Sequence, residues 1–179
     1  MAHFEQQIFI NAMRIVFTDY FVNKKVLEIG SLNINGSVRG FFSNCGYVGV
    51  DLGYGEGVDI VCDGADLKFP TNTFDTVVST ECFEHNPRWV ETFANMIRMC
   101  KSNGLVIMTC ATEGRAPHGT TSDRPEDSPL TVQNGWGEYY ENLSEQNFRE
   151  HFNIDVIFES YQFYVNHSFH DLYFWGIKK

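Results

Sequence analysis

Short, continuous apolar runs recur along the chain, and they predict buried strands. Five of these runs lie at 25–29, 47–50, 58–62, 76–79 and 105–109. Uninterrupted apolar runs of this length are typical of strands covered on both faces, as in a parallel sheet. Two later runs, 154–158 and 172–175, predict the last two strands.

Apolar residues at helical spacing predict helices before and between these strands. The first helix is expected over 4–21, with an apolar face formed by Phe4, Ile8, Ala12 and Ile15. The clearest helix is expected over 87–101, with Asn86 as its cap. Its buried stripe would be Val90, Phe93, Ala94 and Ile97.

Two shorter helices complete the pattern, one near 36–44 and one over 144–151 with Ser144 as its cap. The expected fold is an α/β domain: a Rossmann-like, seven-stranded, mostly parallel sheet with helices on both faces and an antiparallel last strand. We expect one domain over 1–179. The first helix lies within 1–23, and a long loop rich in glycine and proline covers 112–142 on the substrate side.

Composition narrows the class of protein. The chain has 179 residues, 43% hydrophobic residues and a formal net charge of −10. The acidic charge disfavours DNA as a partner. The five cysteines form no Cys-x-x-Cys pair, which argues against a disulfide framework or zinc ribbon and favours a reducing, cytoplasmic location. No secretory signal and no bilayer-spanning stretch are evident, and the oligomeric state is not predicted.

Small or acidic residues follow three of the first four predicted strands. Gly30, Asp51 and Asp63 would therefore line one crevice, because ligands of open α/β sheets bind beyond the carboxyl ends of the strands. Glycine lets the backbone turn sharply beside a ligand. An acid after the second strand can accept hydrogen bonds from both ribose hydroxyls, and an acid after the third can accept one from an exocyclic amine.

The residues from about 24 to 112 resemble the class I S-adenosylmethionine-dependent methyltransferases, and most closely the branch called type 11. The resemblance rests on Val26-Leu-Glu-Ile-Gly30, Val48-Gly-Val-Asp51, Asp63-Gly-Ala-Asp-Leu-Lys-Phe-Pro70, Asn72-Thr-Phe-Asp-Thr-Val-Val-Ser79, Glu84-His85 and Met96-Ile-Arg-Met-Cys-Lys-Ser-Asn-Gly104. It implies S-adenosylmethionine as cofactor. Six segments in the same order are far more specific than any one of them.

The resemblance also implies positions for the cofactor. Gly30 would approach its methionine portion, Asp51 would hold the ribose, and Asp63 with Gly64 would contact the adenine. The full set of expected cofactor-binding residues is Glu28, Gly30, Ser31, Asn33, Asp51, Leu52, Asp63, Gly64, Ser79 and Thr80.

The loop after the first strand departs from the family pattern. The family has further glycines there, whereas this chain has Ser31-Leu-Asn-Ile-Asn-Gly-Ser37. Asn33 and Asn35 tolerate left-handed backbone geometry better than most residues, so we expect a variant loop that keeps cofactor binding. A Rossmann oxidoreductase is the rival interpretation, but the chain lacks the G-x-G-x-x-G that it requires.

Glu81, Glu84 and His85 form a candidate metal site. On a helix these residues would share one face, and two carboxylates with an imidazole can bind Mg²⁺ or Mn²⁺. Some class I enzymes that methylate hydroxyl groups have a similar E-x-x-E-H pattern, with His118 here as a further ligand. Two alternatives remain. His85 or His118 acts as a metal-free general base, or Glu84 and His85 are structural.

The loop over 112–142 has the composition of a substrate-recognition segment. Its aromatic residues Trp136, Tyr139 and Tyr140 either stack on a substrate or fold onto the core. Arg115 and Arg124 either pair with an anionic substrate group or with nearby acids.

The function expected from these features is methyl transfer from S-adenosylmethionine to a hydroxyl of a small molecule or glycan. The alternative is a protein that binds S-adenosylmethionine without catalysis, as a sensor or as the regulatory partner of another subunit.

Overall fold

The structure, a computed structural model, describes residues 4–179, and within them one seven-stranded sheet has the order β3-β2-β1-β4-β5-β7-β6. The strands are β1 (Lys25–Ile29), β2 (Gly46–Asp51), β3 (Ile60–Val61), β4 (Phe74–Thr80), β5 (Cys100–Ala111), β6 (Phe158–Asn166) and β7 (Asp171–Lys178). Strands β1 to β5 pair in parallel, and β7 runs antiparallel to both β5 and β6. The predicted fold class is confirmed.

The α-helices of the described chain are α1 (Phe4–Val16), α2 (Trp89–Met99), α3 (Pro129–Gln133), α4 (Glu145–His151) and α5 (Ile154–Ile157). Single 3₁₀ turns lie at Thr18–Tyr20, Arg39–Phe41, Gly64–Asp66, Phe83–His85 and Pro125–Asp127. Among the described residues, no helix has the length and apolar character needed to cross a membrane.

Consecutive residues of a strand point to opposite sides of the sheet. In this sheet both faces are buried, because apolar residues lie on both sides. Val26 and Val78 pack with Ile10 of α1 on one face. Leu27 and Val77 belong to the larger core on the other face, which also contains Phe93 of α2 and Phe148 of α4. These apolar residues on both sides of each strand are the reason that the strands appear in the sequence as continuous runs.

The predicted apolar face of the first helix is wrong. Phe4, Ile8 and Ile15 are 71%, 52% and 68% exposed, whereas Gln6 and Ile10 are fully buried. Gln6 Nε2 donates to Thr109 Oγ1 at the end of β5, at 2.6 Å. A pattern based on hydrophobicity assigns glutamine to solvent, so it could not find this polar anchor. Residues 1–3 of the predicted 1–23 segment lie outside the described residues.

Helix α2 is shorter than the predicted 87–101. It begins at Trp89, after a turn in which Asn86 Oδ1 accepts from the Arg88 backbone N–H at 2.8 Å, and it ends at Met99 because Cys100 opens β5. Its buried side also differs from the predicted stripe, since Ala94 is exposed. The buried residues are Trp89, Thr92, Phe93, Asn95, Met96 and Met99.

Three other elements differ from expectation. Only the turn Arg39–Phe41 is helical within 36–44, and only Ile60–Val61 pairs as a strand within 58–62. Residues 154–157 form α5 rather than a strand, with Asn153 Oδ1 accepting from the Val156 N–H, and β6 starts at Phe158. A local side-chain cap outweighs the β propensity of this apolar run.

Candidate active site

A cavity lies beyond the carboxyl ends of β1, β2, β3 and β4. About 830 Å³ of space without protein atoms lies within it, and this figure includes space open to solvent. Eight of the ten predicted cofactor-binding residues line it: Glu28, Gly30, Ser31, Asp51, Leu52, Asp63, Gly64 and Thr80. Asn33 and Ser79 do not.

Gly30 brings the loop after β1 against the loop after β4. Its backbone has φ of +78°, and a Cβ added there would lie 2.7 Å from the Cβ of Cys82. Both facts exclude a larger side chain without strain. The two loops thereby close the floor of the cavity.

The glycine-poor loop after Gly30 is held by hydrogen bonds. Asn33 Nδ2 donates to Glu56 Oε1 at 2.7 Å, and Asn33 Oδ1 accepts from the Gly36 N–H at 2.9 Å. Neither Asn33 nor Asn35 uses the left-handed geometry that asparagine tolerates, and Gly36 has the positive φ in this loop. Asn33 therefore positions the loop from outside the cavity.

Asp51 ends β2 and organises the same loop. Its two carboxylate oxygens accept from the backbone N–H groups of Leu32 and Leu52, at 2.9 and 2.8 Å. Burial raises the pKa of Asp51, and the two N–H groups oppose that shift. A carboxylate has about four lone-pair sites, so acceptor capacity remains on the cavity side.

Asp63 is more heavily engaged than expected. Its Oδ1 accepts from the Ala65 N–H at 2.9 Å, and its Oδ2 lies 2.5 Å from Nη1 of Arg88. Arg88 also reaches Asp66 at 2.7 Å. Sequence reasoning missed Arg88, although its place just before α2 puts it beside the loop that follows β3.

Glu28 is a buried carboxyl group in the lining of the cavity. It is 3% exposed, and the Tyr47 hydroxyl donates to its Oε2 at 2.9 Å. Burial raises the pKa of Glu28 to about 7, and the Tyr47 hydrogen bond opposes the shift.

The segment Glu81 to His85 is not one helix, so the predicted shared helical face is wrong. Glu81 has φ of +48°, and only Phe83–His85 form a 3₁₀ turn. Glu81 Oε1 accepts from Thr109 Oγ1 at 2.9 Å, which ties it to the end of β5. Glu84 and His85 are fully and almost fully buried behind it.

The structure brings His118 to this turn, across more than thirty residues of sequence. Atoms of Glu84, His85 and His118 that could bind a metal all lie within 4.8 Å of one another. Tyr140 packs against both imidazoles, with ring centroids 5.5 Å from His85 and 5.2 Å from His118. His85 lines the cavity, so this inner cluster of Glu84, His85, His118 and Tyr140 adjoins its inner end.

Burial favours the uncharged forms of the titratable groups in the inner cluster. Burial is the largest cause that lowers the pKa of His85, to about 3, and the nearby imidazole of His118 acts in the same direction. Burial also lowers the pKa of His118, and burial with the charge of Glu81 raises the pKa of Glu84. Both imidazoles are therefore neutral near pH 7, the form that binds a metal ion.

The 112–142 segment covers the cavity. Helix α3 lies over it, and a Cβ on Gly53 would meet Leu130 at 2.7 Å, which places this helix directly on the turn after β2. Trp136 and Asp127 line the cavity as well. The predicted loop thus contains ordered structure.

The other predicted recognition residues of this segment have partners within the protein. Arg115 pairs with the buried Asp171 at 3.0 Å, and Arg124 lies 3.5 Å from Asp127. Tyr139 donates to Glu141 at 2.6 Å. Of the proposed aromatic contacts, only Trp136 reaches the cavity lining.

Comparison with known proteins identifies the fold. Residues 45–108 match the family model described as methyltransferase domain, of the type 11 branch. Among curated proteins, no sequence matches the chain significantly. The predicted fold class is confirmed, and the family model that matches 45–108 is of the type 11 branch named by the resemblance.

Several solved structures are similar. The 1,6-didemethyltoxoflavin N1-methyltransferase of Burkholderia thailandensis has a TM-score of 0.64 at 13% identity, over 95% of this chain and 76% of that one. Phosphoethanolamine N-methyltransferase 2 of Haemonchus contortus has a TM-score of 0.63 at 15% identity, over 94% of this chain and 52% of that one. The chain therefore spans about half the length of the Haemonchus enzyme.

A third similar structure has the same size as this chain. It is a Haloferax volcanii complex of the Trm112 methyltransferase activator with a methyltransferase, with a TM-score of 0.59 at 14% identity and 99% of each chain covered. At identities this low, the similarity shows a shared fold and nothing further.

Proposed function

We propose that this protein binds S-adenosylmethionine in the cavity described above and transfers its methyl group to a small acceptor molecule. The observation that carries the proposal is the position of Asp51. It ends β2 inside the cavity, where it faces the space that a ribose would occupy in a class I fold. The Burkholderia and Haemonchus relatives were solved with S-adenosylhomocysteine and S-adenosylmethionine respectively.

The cofactor would extend across the cavity from Asp63 and Gly64, at the adenine end, to Gly30 at the methionine end. Its methyl group would then point towards Thr80, Glu81 and His85, which line the inner side. This orientation assigns the acceptor to the space between His85 and Trp136.

The chemistry is a direct displacement. The acceptor oxygen forms a bond to the methyl carbon, the carbon–sulfur bond breaks, and its electron pair stays on sulfur to give S-adenosylhomocysteine. The acceptor proton is lost beside the inner cluster. The protein contributes alignment of the two reactants and the environment for proton removal.

We favour a hydroxyl of a small molecule or glycan as acceptor, because a hydroxyl needs help to lose its proton and the polar inner cluster adjoins the space proposed for the acceptor. The net charge of −10 is consistent with a substrate other than DNA. An amine is the second candidate acceptor, since the Burkholderia and Haemonchus relatives are N-methyltransferases.

Calorimetry with S-adenosylmethionine and S-adenosylhomocysteine tests the cofactor site. Asp51→Ala should weaken both ligands about 100-fold, since two hydrogen bonds to a charged group contribute about 1.5 kcal/mol or more each. Asp19→Ala, at an exposed aspartate, is the matched control. Unchanged affinity in Asp51→Ala would overturn the assignment.

A turnover assay separates an enzyme from a protein that only binds the cofactor. Methyl-labelled S-adenosylmethionine is incubated with the protein and a pool of small metabolites, and S-adenosylhomocysteine and labelled products are measured. Formation of a labelled O-methyl product supports the proposal. A labelled N-methyl product contradicts the hydroxyl assignment, and binding without turnover across acceptor pools contradicts the enzymatic one.

A further inference from the structure

The inner cluster contains polar atoms that the protein leaves without partners. Glu84, His85 and His118 are 0%, 2% and 3% exposed. Within the described chain, both carboxylate oxygens of Glu84, both ring nitrogens of His85 and Nε2 of His118 have no hydrogen-bond partner.

Such a concentration of unpaired buried groups is costly. Each one loses its hydration on folding and gains no hydrogen bond within the described chain in return. Buried polar groups in native proteins nearly all have a partner. Five such atoms on three adjoining side chains therefore point to a bound species that all three share.

His118 is oriented as metal-binding histidines are. Its Nδ1 lies 3.2 Å from the Ala116 carbonyl oxygen, to which it donates. That bond places the proton on Nδ1 and leaves the lone pair of the unpartnered Nε2 facing the cluster. Metal-binding histidines almost always donate their other nitrogen to a carbonyl or carboxylate in this way.

The backbone after His118 is shaped to fit the site. Gly119 has φ of +63°, and a Cβ there would lie 2.8 Å from Cε1 of His85. The chain passes so close to His85 that only glycine fits, and this contact fixes the imidazole of His85 next to that of His118.

The set of donor atoms selects the type of ion. Two imidazoles and one carboxylate are the ligands of transition-metal sites such as zinc hydrolase centres and non-haem iron centres, whereas Mg²⁺ prefers oxygen. Glu81, the second carboxylate of the sequence prediction, is instead bonded to Thr109. The positive charge of nearby Arg115 is balanced by the buried Asp171.

We propose that Glu84, His85 and His118 bind one divalent transition-metal ion at the inner end of the cavity. A three-ligand site leaves coordination positions open, and His85 links the site to the cavity. If the proposed function holds, on which this role rests, the ion binds the acceptor hydroxyl, orients it and lowers its pKa.

Metal binding can be tested without any methyl acceptor. Purified protein is stripped with EDTA, dialysed and titrated with Mn²⁺, with free Mn²⁺ measured by electron paramagnetic resonance. Co²⁺ titration reports nitrogen ligation through its visible absorption spectrum. We expect one equivalent to bind, a rise in Tm on binding, and far weaker binding of Mg²⁺.

Glu84→Gln and His118→Asn should each lower the affinity for Mn²⁺ and Co²⁺ at least tenfold, while circular dichroism confirms that both remain folded. His167→Asn, at an exposed histidine, is the matched control and should not change either titration. Failure of the wild-type protein to bind one equivalent, or equal affinity in wild type and both variants, would overturn the proposal.

Calorimetry on the stripped protein keeps the two proposals apart. S-adenosylmethionine binding without metal binding overturns the metal site alone. Metal binding without S-adenosylmethionine binding supports the metal site and overturns the proposed function.

Discussion

The polar groups at the two ends of the cavity differ in their hydrogen bonding. The outer end is the part lined by Asp51 and Asp63, and the inner end is the part beside the inner cluster. At the outer end, Asp51 accepts from two backbone N–H groups and Asp63 accepts from Arg88 and a backbone N–H. At the inner end, Glu84 and His85 have no partner in the described chain. The two acids at the outer end are thus held by the protein's own hydrogen bonds, whereas the unpartnered groups at the inner end are those for which we propose a bound metal ion.

The difference predicts opposite effects on stability and function. A site held by its own hydrogen bonds loses stability when a polar group is removed. A site of unpaired polar groups loses function but keeps its stability, since replacing such groups by apolar ones of similar shape is nearly neutral or stabilising.

The largest effect is expected for His85→Phe. Methyl transfer should fall about 1,000-fold, within the range for loss of proton-transfer assistance, while stability in EDTA at pH 7.5 should stay equal or rise. Phenylalanine fills the place of an imidazole that packs against Tyr140. Labelled product formation and urea unfolding provide the two readouts.

His151→Phe, at an exposed histidine that packs against Trp89, is the control for an added phenyl ring. A His85→Phe variant that loses several kcal/mol of stability would contradict the distinction between the two ends, because His85 would then be part of the scaffold.

Glu28→Gln should have the next largest effect, and it depends on pH. The pKa of Glu28 is raised to about 7 in the folded protein from 4.5. The folded state therefore holds a proton that the unfolded state releases, so this group lowers stability as pH rises from 4.5 to 7. The glutamine side chain of the variant cannot ionise, so the variant should be more stable by about 3 kcal/mol at pH 8 and about equal at pH 4.5.

Urea unfolding at pH 4.5, 6, 7 and 8 measures this difference. Glu138→Gln, at an exposed glutamate, serves as the control and should follow the wild-type pH dependence. A constant difference between Glu28→Gln and wild type across this range would mean that Glu28 ionises normally.

Gly30→Ala should destabilise the protein by about 2 kcal/mol, because the alanine must adopt a left-handed φ. Its Cβ would also meet Cys82 on the cavity floor. Gly40→Ala is the matched control, since a Cβ there meets nothing within 4 Å. Urea unfolding of the two variants gives the result, and equal stabilities would show that the floor of the cavity can rearrange.

The sheet was predictable from sequence because each buried strand carries apolar residues on both faces, as Val26 and Leu27 do. The placing of Asp51 at the cavity followed from the same strands. The buried side of α1 was not predictable, because Gln6 is buried through a hydrogen bond to Thr109, a residue distant in sequence.

The inner cluster was only partly predictable. Glu84 and His85 are neighbours in sequence, but the pairing with His118 depends on how the segment after β5 folds back. The separation of Glu81 from the cluster depends on its positive φ, for which a glutamate gives no sequence signal.

The smallest effect is expected for Arg88→Gln, and it tests whether the outer end is uniformly preorganised. Arg88 is about one-third exposed, and exposed ion pairs contribute about 1 kcal/mol or less. Asp63 would keep the Ala65 N–H and lose only its second donor. The affinity for S-adenosylmethionine, measured by calorimetry, should fall by a factor of about five or less and should approach wild type in 0.5 M salt, where charges are screened. Arg14→Gln, on the exposed side of α1, is the control. A loss of affinity as large as that expected for Asp51→Ala would mean that Arg88 holds Asp63 in its binding geometry. The adenine end of the cavity would then depend on a single, partly exposed side chain rather than on the backbone.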